Sequence, residues 1–121
     1  MLDYLDFDTS DDGEGCTSLD AMAYTSAAHW PALSAEVRQV LAWCSDAFGS
    51  PGPLDEGHAW DLDLQLQSGA GDALALLWDA QQRQLLAPQA AQQTALQLSL
   101  TLSGPDPFAQ QVAAQFLGDT E

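Results

Sequence analysis

From Trp60 to Gln67 apolar and polar residues alternate without a break, Trp60, Leu62, Leu64 and Leu66 against Asp61, Asp63, Gln65 and Gln67. Successive side chains of a strand point to opposite faces, so this segment buries its apolar residues together only when extended. Leu96, Leu98, Leu100 and Leu102 repeat the pattern later in the chain. One-sided strands need a second layer against the apolar face and leave the other face to water. A different periodicity supplies that layer. Leu33, Val37, Val40, Leu41, Cys44 and Phe48 recur at helical spacings, forming one stripe of an amphipathic helix. Pro31 suits its first turn, and Gly49 with Pro51 and Pro53 ends it, which predicts a helix over 31–48.

The remaining segments fit the same plan. Residues 2–9 mix Leu2, Tyr4, Leu5 and Phe7 with Asp3, Asp6 and Asp8, a partial alternation that predicts a strand. Ser10 to Gly15 reads as an acidic connection. A second strand follows over 17–25, with Met22 and Tyr24 on one face. Residues 49–57 make a turn-rich linker. Leu74, Leu76 and Trp78 predict one further strand, and Gln84–Leu86 a short one. Asp106 as N-cap, Pro107 in the first turn and the four-residue spacing of Phe108, Val112 and Phe116 predict a last helix, stopped at Gly118. The expected architecture is one α+β domain over 1–121, with order β-β-α-β-β-β-β-α. It is a mostly antiparallel sheet with two helices packed on one face.

Charge narrows the functional classes. Eighteen acids face two bases, Arg38 and Arg83, with no lysine, for a formal net charge of −16. Nucleic-acid phosphates are bound by clustered cations that displace counterions, which this chain lacks. The same reasoning disfavours anionic membranes and nucleotides. What the charge leaves attractive is a basic protein, a divalent cation or nothing beyond solvent, the acids then serving solubility and self-repulsion. No run of apolar residues reaches membrane-span length, and Met1–Asp6 lacks the basic and apolar regions of a signal peptide, so a cytoplasmic location is expected. Cys16 and Cys44 are too few for a disulfide framework, and Cys44 falls on the helical stripe as a small hydrophobe.

Two constellations could carry chemistry. Asp8-Thr9-Ser10-Asp11-Asp12-Gly13 opens like a calcium loop, with Asp8, Ser10 and Asp12 offering oxygens at alternate positions and Gly13 at the sixth. Position twelve, where a bidentate glutamate belongs, is Leu19, and Asp20 follows one residue late. The broken match therefore predicts no cofactor, with weak calcium binding at Asp8, Ser10 and Asp12 as the alternative. Asp61 and Asp63 share a strand face, as a carboxylate-based hydrolase would require, but His58 falls on the opposite face. With no G-x-S-x-G, C-x-x-C, H-E-x-x-H or phosphate-cradling glycine motif, no catalytic residue is assigned. Trp60 and Trp78 are in phase with leucines and belong to the core. Trp43 lies off the helical stripe, at the edge of the core or on a partner surface.

Phe7-Asp8 with Ser10-Asp11-Asp12, Leu19-Asp20-Ala21-Met22-Ala23, and Gly52-Pro53-Leu54-Asp55-Glu56-Gly57 with Trp60-Asp61 resemble a family of small acidic bacterial proteins of unknown function. The resemblance runs over most of the chain. It implies a bacterial, cytoplasmic, single-domain protein and supplies no catalytic or binding residues. The residues themselves favour a non-catalytic interaction module or inhibitor that meets a basic partner with its acidic face. A calcium-binding module and a carboxylate-based hydrolase are the alternatives.

Overall fold

The computed structural model describes residue 5, residues 7–79 and residues 81–116, without the side chain of residue 91. The leucine alternation does what it predicts. Strand β7 (Ala95–Pro105) buries Leu96, Leu98, Leu100 and Leu102 and lies at the centre of a five-stranded sheet. The others are β1 (Phe7–Asp11), β2 (Cys16–Ser26), β3 (Asp61–Ser68) and β4 (Ala73–Leu74). Their order is β1-β2-β7-β3-β4, and every pairing is antiparallel. A separate hairpin pairs β5 (Leu77–Asp79) with β6 (Gln84–Leu86). Helices α1 (Trp30–Phe48) and α2 (Asp106–Phe116) cover the apolar face, and the fold is α+β in the expected order.

Helix α1 buries Leu33, Val37, Val40, Leu41 and Cys44, the stripe its sequence spacing marks out. It ends where Gly49 takes φ +90°, a conformation that suits glycine, and the Gly49 N–H bonds the Ser45 carbonyl at 2.9 Å. The Gly49 carbonyl in turn accepts a 2.8 Å hydrogen bond from the indole of Trp60, so one fully buried side chain ties the helix end to the start of β3. Trp60 stacks on Phe108 of α2, with centroids 5.9 Å apart. Phe108 meets Phe48 edge-on, and Trp43 meets both Phe48 and Phe116. Trp43 is half-buried and edges the core. Directly after β7, Asp106 opens α2 and accepts a 2.7 Å hydrogen bond from Thr17 Oγ1, which fastens α2 to β2.

Two segments differ from expectation. Strand β1 runs through Asp11, because β2 supplies pairing partners as far as Asp11 opposite Thr17, and the connection shrinks to 12–15. The stretch 74–78 keeps the expected inward side for Leu74, Leu76 and Trp78 but is divided. Leu74 pairs with Leu66 of β3, whereas Trp78 pairs with Leu85 of β6, and Ala75 between them donates to Gln89 Oε1 at 3.2 Å. The start of the first expected strand (residues 2–4 and 6) and the Gly118 stop lie outside the described residues.

Candidate functional site

Helices cover one side of the five-stranded sheet, and among the described residues the other side is open. Its residues follow from the register. Asp8 of β1 stands opposite Asp20 of β2, Asp20 opposite Thr101 of β7, and Thr101 opposite Asp63 of β3. One row across four strands thus carries three carboxylates. Thr101 Oγ1 donates to Asp20 Oδ1 at 2.7 Å, while Asp8 and Asp20 face each other with like charge. The adjoining row runs Ser10, Ser18, Ser103 and Asp61, with the Ser18 and Ser103 hydroxyls 3.2 Å apart. On the other side of the acidic row the face turns to Met22, Ser99 and Gln65, then to Tyr24, Gln97 and Gln67. Met22 is 51% exposed and Tyr24 71%. Both arginines lie elsewhere: Arg38 is on α1 and Arg83 in the β5–β6 turn.

The three residues singled out as calcium ligands are spread along this arrangement. Asp8 and Ser10 sit on the open face of an extended strand, about 7 Å apart by strand geometry. Asp12 lies past the end of β1, where its Oδ1 accepts from the Glu14 N–H at 2.7 Å and the Cys16 N–H at 3.1 Å. Leu19, which holds the place of the missing bidentate ligand, is fully buried in the core. Among the described residues no three His, Cys, Asp or Glu side chains are grouped to hold a metal ion.

Asp61 and Asp63 both face outward, Asp61 accepting from the Leu62 N–H at 2.8 Å. His58 precedes the strand, and its Nδ1 lies 3.2 Å from the Ser50 carbonyl oxygen. The ring packs so close to Gly52 that a Cβ there would sit 2.5 Å from it. The histidine therefore serves the linker. The hollow among Met22, Gln65, Gln67, Gln97 and Ser99 on the open face is about 110 Å³ and holds no carboxylate, well below the several hundred Å³ of ordinary ligand pockets.

Burial pushes the Cys44 thiol up to about 12, so it stays protonated and inert. Cys16, at the start of β2, is half-buried, and both thiols are free. Asp20 is the residue that motif reading leaves out of any site. It falls one place late for a calcium loop, yet strand pairing sets it directly across from Asp8. Only the register brings the two together. No helix among the described residues is long and apolar enough to cross a membrane. Comparisons with protein families, curated proteins and solved structures return no match to the chain.

Proposed function

We propose that the chain is a non-catalytic interaction module whose open sheet face receives a basic protein, acting as an adaptor or inhibitor. The observation that carries this reading is the facing pair Asp8 and Asp20, continued across Thr101 to Asp63. Like charges directly opposite on neighbouring strands destabilise a sheet, by up to about 1 kcal/mol. No cationic side chain among the described residues of the face relieves that repulsion. Lysines or arginines of a partner would relieve it, so binding gains what folding loses. Exposed Met22 and Tyr24 beside the row offer apolar contact at the same surface. An extended polar face of this kind suits a protein surface better than a small substrate.

Retention of proteins from a bacterial extract should separate the native chain from the triple variant Asp8→Asn, Asp20→Asn, Asp63→Asn. The native chain should hold a basic protein at about 20 mM salt and release it at about 500 mM, because steering and rim charges are screened over that range. The triple variant should retain it at neither. Equal retention by both chains would sink the reading.

A further inference from the structure

We propose that the groove between α1 and the β5–β6 hairpin binds a small monocarboxylate with an apolar body. Arg38 and Arg83 would grip its carboxylate, and Trp43, Ala35 and Ala42 would meet the rest. This site lies on the helix side of the molecule and is independent of the open-face reading.

The sequence provides two cations in 121 residues. The fold brings both to the lining of one groove of about 760 Å³, a volume within the range of small-molecule sites. Residues 35, 38, 42 and 46 recur at helical spacing, so α1 presents Ala35, Arg38, Ala42 and Asp46 along one wall. Arg83 and Gln82 come from the hairpin turn opposite. Arg38 makes no ion pair among the described residues. It also lines an adjoining hollow of about 400 Å³ beside Pro31 and Leu85.

Arg83 is the one non-glycine residue described with a positive φ, +56°. The turn is otherwise ordinary: Asp79 Oδ1 accepts from the N–H groups of Gln81 and Gln82 at 3.0 and 3.1 Å. Its last position is one that glycine or asparagine would fill without strain. Arginine keeps the strain and gains a guanidinium at the groove. A strained non-glycine backbone is a pointer toward function when the side chain it carries has a use.

The ligand class follows from the surrounding charge. Asp46 pairs with Arg83 and anchors it, and the guanidinium has further N–H donors for a second carboxylate. Asp46 and the net charge of −16 both oppose polyanions. A single carboxylate is tolerated where a phosphate cluster is not. Half-buried Trp43 with Ala35 and Ala42 then favours an acid with an apolar body over acetate.

The test is an NMR titration of the full chain with phenylacetate, acetate and benzyl alcohol, read at the Trp43 indole and the arginine Nε–H signals. Phenylacetate should give saturable shifts in the millimolar range, and the other two should bind at least about tenfold more weakly. Arg38→Gln, on an exposed helix face, should keep the fold and weaken phenylacetate at least about tenfold. Arg83→Gly is the sharper variant. Relieving the backbone should leave the unfolding midpoint unchanged or raise it, while affinity falls by a similar factor. Absence of saturation, or variants that bind phenylacetate as tightly as the native chain, would overturn the proposal. So would binding of a polyglutamate peptide in preference to phenylacetate, which would point to an acidic protein as the occupant.

Discussion

Cys44 shows how burial alone sets the chemistry of a residue. It lies in the α1 stripe with no exposed surface, and desolvation raises its thiol from 9.0 to about 12. The unfolded chain loses that proton near pH 9 and the native chain retains it. The stabilisation is therefore complete below about pH 9 and is lost as pH rises toward about 12. The slope approaches roughly 1.4 kcal/mol per pH unit within that window. No lysine titrates there to obscure it. Cys44→Ala should lower stability at neutral pH and flatten the alkaline slope, as urea unfolding at pH 7 and pH 10 will show. A slope unchanged in the variant would place its origin elsewhere. Cys16 should be the one thiol that reacts with a disulfide reagent in the native state.

At the scale of elements, Gly104 joins the sheet to α2 by close approach. A Cβ there would sit 2.6 Å from the Phe108 ring and 3.2 Å from the Ala59 carbonyl oxygen. Gly104→Ala should push Phe108 off Trp60 and destabilise by about 1–3 kcal/mol. Leu41→Ala, which leaves a void under α1, should cost about 2–5 kcal/mol. Thermal or urea unfolding of both variants checks the two figures. If Gly104→Ala were neutral, the Phe108–Trp60 stack would not be what fastens α2. Helix α1, β3 and β7 were legible from sequence because their apolar periods report which side of each element is buried. That period carries no information about which strand lies alongside. Leu74, Leu76 and Trp78 therefore read as one strand, although Leu74 joins β3 and Trp78 joins β6. The candidate sites suffered from the same gap. Asp8, Ser10 and Asp12 look like a curling loop when read alone, and only pairing with β2 draws Asp8 and Ser10 straight. The Arg38–Arg83 groove was equally hidden, since its two walls are far apart in sequence.

For the whole molecule, a net charge of −16 with two arginines means that self-repulsion opposes the compact state. Salt should therefore stabilise the fold. Between about 20 mM and about 500 mM the screening length falls from roughly 20 Å to roughly 4 Å, short enough to uncouple all but adjacent carboxylates. The unfolding midpoint should rise over this range. The open face makes the expectation specific. Asp8 and Asp20 are directly opposed, with Asp63 two strands further along the row, so Asp8→Asn should raise the midpoint at low salt. The gain should correspond to a few tenths of a kcal/mol, up to about 1 kcal/mol, and should shrink as salt is added. Asp55→Asn, in the exposed linker away from the sheet, removes the same formal charge without that neighbour and should have the smaller effect. Scanning calorimetry of the three chains at both salt concentrations distinguishes local from global repulsion. Equal effects of the two substitutions would make the charge a diffuse property of the surface. A midpoint that falls with added salt would mean that the carboxylates are held by a cation. Calcium on the Asp8, Ser10 and Asp12 side of the sheet would then be the first to titrate.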